Sequence, residues 1–79
     1  MDIRSLITID KEILAGQPVF TGTRVPVESL FDHLEAGLSL DVFLEDFPGV
    51  TRQQAINLLE AANKILTSKN IEQLYAAVA

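Results

Sequence analysis

The chain predicts a mainly α domain of three or four helices with a small N-terminal sheet. Three observations carry that expectation. Apolar residues recur at helical spacing from residue 27 onwards. The first 26 residues instead hold short β-branched and aromatic runs broken by glycine and proline. A chain of 79 residues with 48% hydrophobic content supports one small core and is too apolar to stay disordered. With no cysteine there is no disulfide to support so small a domain, so dimerisation or docking on a partner is the natural supplement.

Leu6 to Ile9 reads as a short strand, followed by turns at Asp10–Lys11–Glu12 and around Ile13 to Gly16. Residues 16–27 hold two of the four glycines and two of the three prolines, interleaved with Val19, Phe20, Val25 and Val27. Glycine reaches backbone angles that other residues resist, proline fixes φ, and Val and Phe favour a buried, pleated surface. This describes a rigid, tightly turned β element in which Thr23 and Arg24 are fixed, with two or three short strands in all. Gln17 and Val25, each before a proline, are biased to extended backbone.

The first helix starts near Val27 behind Pro26, carries Val27, Leu30, Phe31 and Leu34 on one face, and stops at Gly37. The second follows Ser39 as N-cap, buries Leu40, Phe43, Leu44 and Phe47, and ends at Pro48–Gly49. Val42 falls on its opposite face as an exposed apolar residue and a candidate partner contact. Thr51 and Gln54 match a capping box for the third helix. Its apolar arc (Ala55, Ile56, Leu58, Leu59, Ala62, Ile65, Leu66) is wider than one neighbour requires, which predicts burial by two elements or a subunit interface. Gln53, Asn57, Glu60 and Lys64 form its polar stripe. After a break at residues 67–70, Ile71, Leu74, Tyr75 and Val78 give a fourth amphipathic helix, with Asn70 and Gln73 as its capping box and the apolar four as candidate partner contacts. The chain thus divides into a β region (1–26), a three-helix core (27–66) and a C-terminal helix (67–79), all within a single domain.

The net charge is −5, from 11 acids and 6 bases. Glu28, Asp32, Glu35, Asp41, Glu45 and Asp46 follow one another with no Lys or Arg between them, which reads as a solvated acidic helical surface. An acidic chain is repelled by phosphate backbones, which counts against strong autonomous nucleic-acid binding. The absence of cysteine suits a reducing cytoplasm, the N-terminal ten residues lack an apolar signal core, and no apolar run reaches membrane-spanning length.

The residues offer little for catalysis. His33 is the one histidine, and helical geometry puts Asp32 and Glu35 on a different flank from it. No spacing selects a carboxylate pair, a phosphate loop or a metal-ligand set. His33 reads as a surface histidine bordering the core. The expectation is therefore no catalytic residue, no metal and no cofactor. The second and third helices, joined by a short turn, have the order of a helix-turn-helix. In that reading the N-terminal residues Thr51, Arg52, Gln53 and Asn57 face DNA, where Arg pairs with guanine and Gln or Asn with adenine. Capped helices joined by short turns are also ordinary in small α domains. Arg24 has two readings: a fixed cation that grips a phosphate or a partner's carboxylate, or a structural partner for an acid between Glu28 and Asp46. The excess of acids favours the second.

Gly16, Pro18, Gly22, Thr23, Arg24 and Val27 fit the pattern Gly-x-Pro-x-x-x-Gly-Thr-Arg-x-x-Val. Gly37, Ser39, Phe47, Pro48 and Thr51 follow in the order of its second half. On these residues the chain resembles the family called domain of unknown function 433, from about Leu6 to Leu66. The resemblance implies a homeodomain-like or winged-helix-like DNA-binding-type bundle behind a short β hairpin, from a bacterium or archaeon. It also implies an antitoxin of a toxin–antitoxin pair, encoded beside a toxin resembling a PIN-type ribonuclease. It carries no catalytic residues over. The expected function is non-catalytic: a cytoplasmic homodimer that binds a neighbouring toxin and its own operator DNA. The alternatives are a stand-alone DNA-binding regulator and a dimeric scaffold. Unlike an antitoxin with a long toxin-wrapping tail, this chain leaves only residues 67–79 for that role.

Overall fold

The computed structural model describes residues 2–78, and its secondary structure is mainly helical behind a two-stranded sheet. Strand β1 (Ile7–Thr8) pairs antiparallel with β2 (Val19–Phe20), Ile7 opposite Phe20 and Thr8 opposite Val19. The strands are shorter than the sequence suggests because residues on either side are taken up by turns. Ile3–Ser5 forms a 3-10 turn capped by the Asp2 carboxylate, and the Ile13 N–H donates to the Asp10 carbonyl at 2.9 Å. Leu14, Ala15 and Gly16 follow with φ of 49°, 58° and 88°. Two consecutive non-glycine residues in the left-handed region cost about 1–2 kcal/mol each, which the surrounding contacts must offset.

The remainder of the β region is a tight loop. Phe20 N–H donates to the Val25 carbonyl and Val27 N–H to the Pro18 carbonyl, each at 3.0 Å, and Val19 bridges Pro26. The extended piece expected at Arg24–Val25 therefore runs beside β2 without becoming a full strand. Thr23 closes the turn: its Oγ1 donates to the Phe20 carbonyl at 2.8 Å and accepts from the Val25 N–H at 3.0 Å. Gly22 sits at φ +81°, where a side chain would be strained.

Helix α1 (Val27–Glu35) leads directly out of this loop. It ends in a Schellman motif, with Leu38 N–H bonded to the His33 carbonyl at 2.9 Å and Gly37 N–H to the Leu34 carbonyl at 3.0 Å, Gly37 taking φ +81°. The Ser39 hydroxyl caps α2 (Leu40–Asp46). Thr51 and Gln54 form the expected capping box of α3 (Arg52–Leu66). Helix α4 (Lys69–Val78) starts one residue after Ser68. Asn70 thus lies inside its first turn, and the expected Asn70–Gln73 capping box does not form. The break between the helices comes earlier, at Thr67 and Ser68, whose hydroxyls donate back to the Asn63 and Ile65 carbonyls.

The core gathers Phe20, Leu30, Phe43, Val50, Ala55 and Leu58, so β2, α1, α2, the α2–α3 turn and α3 each contribute. Phe43 is fully buried, its ring 6.0 Å from Phe20 and 5.2 Å from Phe47. Ile7, Val25, Val27, Phe31, Leu40, Leu44 and Leu59 pack around this cluster. Among the described residues no helix is long and apolar enough to cross a membrane.

Candidate functional site

The β loop and the start of α3 are bound together by one side chain. Gln54 Oε1 accepts the Thr51 N–H at 2.9 Å and completes the capping box, while its Nε2 donates to the Thr21 carbonyl at 3.0 Å. Thr21 in turn donates its N–H to the Leu6 carbonyl at 3.1 Å. The turn carrying Gly22, Thr23 and Arg24 is thereby pinned between β1 and α3. The family-motif residues divide accordingly. Gly16 and Gly22 supply positive φ, Pro18 and Val27 share a ladder bond, and Thr23 locks the turn. Arg24 alone has no such role. It is exposed, and among the described residues it makes no ion pair. The expectation that Arg24 pairs with an acid from 28–46 is not met, because those acids find other partners or face solvent. Glu28 accepts from Gln17 at 2.9 Å, Asp41 pairs with Arg52, and Asp46 pairs with His33 at 2.8 Å.

The four residues expected to face DNA lie together on the first turns of α3, but they are engaged with neighbours. The Thr51 hydroxyl accepts the Gln54 N–H at 3.1 Å. Arg52 holds the Asp41 carboxylate across from the first turn of α2. Gln53 donates to Asn57 at 2.8 Å, and one turn further on Lys64 and Glu60 pair at 3.4 Å, so the polar stripe is laced by i,i+4 contacts. The Arg52–Asp41 pair is exposed on both sides and is worth no more than about 1 kcal/mol, so it can exchange for another anion. It nonetheless sets a carboxylate beside the guanidinium that direct readout would need.

The expected partner-binding residues separate into two groups. Val42 is half-buried, not exposed. Helix α2 is only seven residues long and packs beside α1, which leaves it little free side. On α4, by contrast, Leu74, Tyr75 and Val78 are 59%, 74% and 79% exposed, with Ile71 half-buried beneath them. At the end of α3, Ile65 and Leu66 are likewise 60% and 63% exposed. The wide apolar arc is thus covered only in part: Ala55 and Leu58 are buried, Leu59 and Ala62 half-buried, and Ile56, Ile65 and Leu66 exposed, while Ala61, outside the expected arc, is buried. A shallow groove of about 420 Å³, lined by Ile3, Ala61, Lys64, Ile65, Ser68 and Asn70, runs into the corner between the two helices.

One pairing has no counterpart in the sequence reading. His33 lies in the last turn of α1, 17% exposed, with Nε2 2.8 Å from Asp46 Oδ2 and Nδ1 2.8 Å from the Ser29 carbonyl. The bond to Asp46 first, then the bond to the Ser29 carbonyl, raises its pKa above the usual histidine value. The two helices form a hairpin, but which α2 acid meets His33 depends on how they cross, and spacing along the chain does not encode that. Among the described residues no group of three or more His, Asp or Glu side chains converges as a metal site would require.

The fold and its surfaces define a class: a small helical domain with a pinned β loop, whose uncommitted groups lie on open surfaces and not in an enclosed cleft. The model of the family described as "Protein of unknown function (DUF433)" matches residues 7–61, and the chain belongs to that family. It is also similar to the "Uncharacterized protein y4eO" of Sinorhizobium fredii (strain NBRC 101917 / NGR234), 37% identical over 51 residues. That alignment covers 65% of this chain and 23% of the relative, so the chain spans under a quarter of that protein's length. No solved structure gives a significant match.

The two roles of Gln54 can be separated by substitution. Gln54→Leu removes both bonds and is expected to cost about 1–3 kcal/mol in urea unfolding. Gln54→Glu keeps an acceptor for the Thr51 N–H but has no donor for the Thr21 carbonyl, so it should speed amide exchange in the 21–24 turn while α3 stays capped. Wild-type stability in Gln54→Leu would show that neither bond contributes.

Proposed function

We propose that this chain is a non-catalytic, cytoplasmic, antitoxin-like binding domain that captures a toxin encoded beside it, through the apolar surface made by α4 and the end of α3. One observation carries the reading. Leu74, Tyr75 and Val78 on α4 and Ile65 and Leu66 at the end of α3 are each more than half exposed, so among the described residues five of the six large apolar side chains exposed to that degree lie on these two neighbouring segments. An amphipathic helix presenting apolar residues at i, i+3, i+4 and i+7 is a common way to fill a partner's groove. Tyrosine is favoured in such contacts because it adds large area at low conformational cost. The acidic residues of 28–46 suit a basic, RNA-binding surface on a ribonuclease-type toxin, where they would speed association. That the similar region occupies under a quarter of the relative from Sinorhizobium fredii is consistent with a module that serves other components.

A second reading, binding to its own operator, rests on the exposed Arg52 and Gln53 at the capped start of α3. Arg52 would have to exchange Asp41 for a phosphate or a guanine, which makes operator binding weaker and strongly salt-dependent.

Co-expression with the neighbouring gene product is expected to give a stable complex on size-exclusion chromatography with light scattering. Leu74→Asp combined with Tyr75→Asp should abolish the complex and leave the cooperative unfolding of the isolated chain's core unchanged, because neither side chain belongs to the core cluster. No complex with the wild-type chain, or an undiminished one with the double variant, would refute the docking surface. For the operator reading, Arg52→Ala should weaken binding to the upstream DNA at least tenfold. Unchanged binding would remove α3 from the DNA interface.

A further inference from the structure

The bonding around His33 fixes its protonation state. The Ser29 carbonyl can only accept, so Nδ1 at 2.8 Å must carry a proton. The Asp46 carboxylate likewise only accepts, so Nε2 at 2.8 Å must carry one as well. A neutral imidazole has a single N–H and satisfies one of these bonds while turning a lone pair toward the other oxygen. Both bonds form together only in the imidazolium, and imidazole is a far stronger base than a carboxylate, so the shared proton belongs to the ring. We propose that His33 is a structural imidazolium that latches the last turn of α1 to the last turn of α2, and that its deprotonation weakens that latch, because the neutral ring loses its charge and keeps only one of the two bonds, and so loosens the entry to the α2–α3 turn.

The surroundings make the latch consequential. The His33 ring stands edge-on to Phe43 at 5.4 Å and to Phe47 at 5.6 Å, so its position is tied to the aromatic side of the core. Phe47 is the last residue before Pro48–Gly49, and its carbonyl accepts the Val50 N–H at 3.0 Å in the turn leading to α3. The charged groups acting on the ring are Asp46 from α2 and Asp32 from its own helix, both anionic. Between Glu28 and Asp46 the sequence has no Lys or Arg, so a protonated His33 adds a cation from within the acidic block itself, beside the Arg52 that reaches Asp41 from α3. The same proton therefore sets both the α1–α2 contact and the net charge of that face.

The sign of the pH dependence follows. The pKa of His33 is raised in the folded chain by Asp46 and the Ser29 carbonyl above its ordinary 6.5. The stabilisation is then fully present below the unfolded value and is lost as pH rises through the folded one.

His33 is the chain's single histidine, so its ring signals are unambiguous in an NMR titration of the full chain. The expected result is a midpoint above 6.5, imidazolium-type ring nitrogens below that midpoint, and a return toward 6.5 in Asp46→Asn. The melting temperature should show the same linkage: the advantage of wild type over His33→Gln is full below pH 6.5 and shrinks as pH rises through the titration midpoint of the folded chain. Asp46→Asn, at an exposed position, supplies the comparison if His33→Gln folds poorly. A wild-type midpoint at or below 6.5, or one that Asp46→Asn leaves in place, would overturn the proposal.

Discussion

Phe43 enters the centre of the domain from α2 and meets Phe20 of β2, with Leu30 of α1, Val50 of the turn and Ala55 and Leu58 of α3 completing the cluster. A chain of this size has room for one such cluster, and its total stability is on the order of 4–12 kcal/mol. Burial of a single phenylalanine contributes about 3–5 kcal/mol to a core, a large share of that total. Five segments therefore depend on one ring, and none of them is expected to fold without the others. The short strands are an example. A two-residue pairing has almost no stability of its own and persists because Val19 and Phe20 are fully buried behind the helices.

From that core outwards, polar contacts position what the surface presents. Gln54 joins the β loop to the start of α3, Thr23 locks the loop internally, and Ser39 and Thr51 fix where α2 and α3 begin. The family motif in residues 16–27 is accounted for almost entirely by backbone geometry. Arg24, the exception, is a cation held at a fixed place on a rigid turn. The other end of the domain differs in kind. Helix α4 rests on the end of α3 and exposes an apolar face, so the chain is rigid where its motif lies and uncovered where its last helix lies.

Local features were legible in the sequence. The helical spacing of Val27, Leu30, Phe31 and Leu34, the Gly37 stop, the Ser39 cap and the Thr51–Gln54 box each depend on residues within a few positions of one another, and each forms as expected. Features that failed or went unseen depend on helix crossing and on competition. Arg24 lost its expected acids to Gln17, Arg52 and His33. Val42 was shielded because a two-turn helix beside α1 has little outer face. The Asn70 cap was displaced because the break falls at Thr67 and Ser68, so α4 already starts at Lys69. The Gln54–Thr21 bond spans 33 positions, and nothing in the local pattern announces it. Of the candidate surfaces, the apolar face of α4 was legible from its i, i+3, i+4, i+7 spacing. The commitment of Arg52 to Asp41 was not, because it arises only when α2 and α3 are set side by side.

The measurement that tests this account most directly is amide hydrogen exchange along the isolated chain at low concentration. A ten-residue helix with little tertiary cover is marginal in water. The account predicts slow exchange from β2 through the buried turns of α3 as one cooperative block, with the amides of α4 exchanging orders of magnitude faster. Protection of α4 equal to that of α3 would contradict it, because the apolar face assigned to a partner would already be covered by the chain itself.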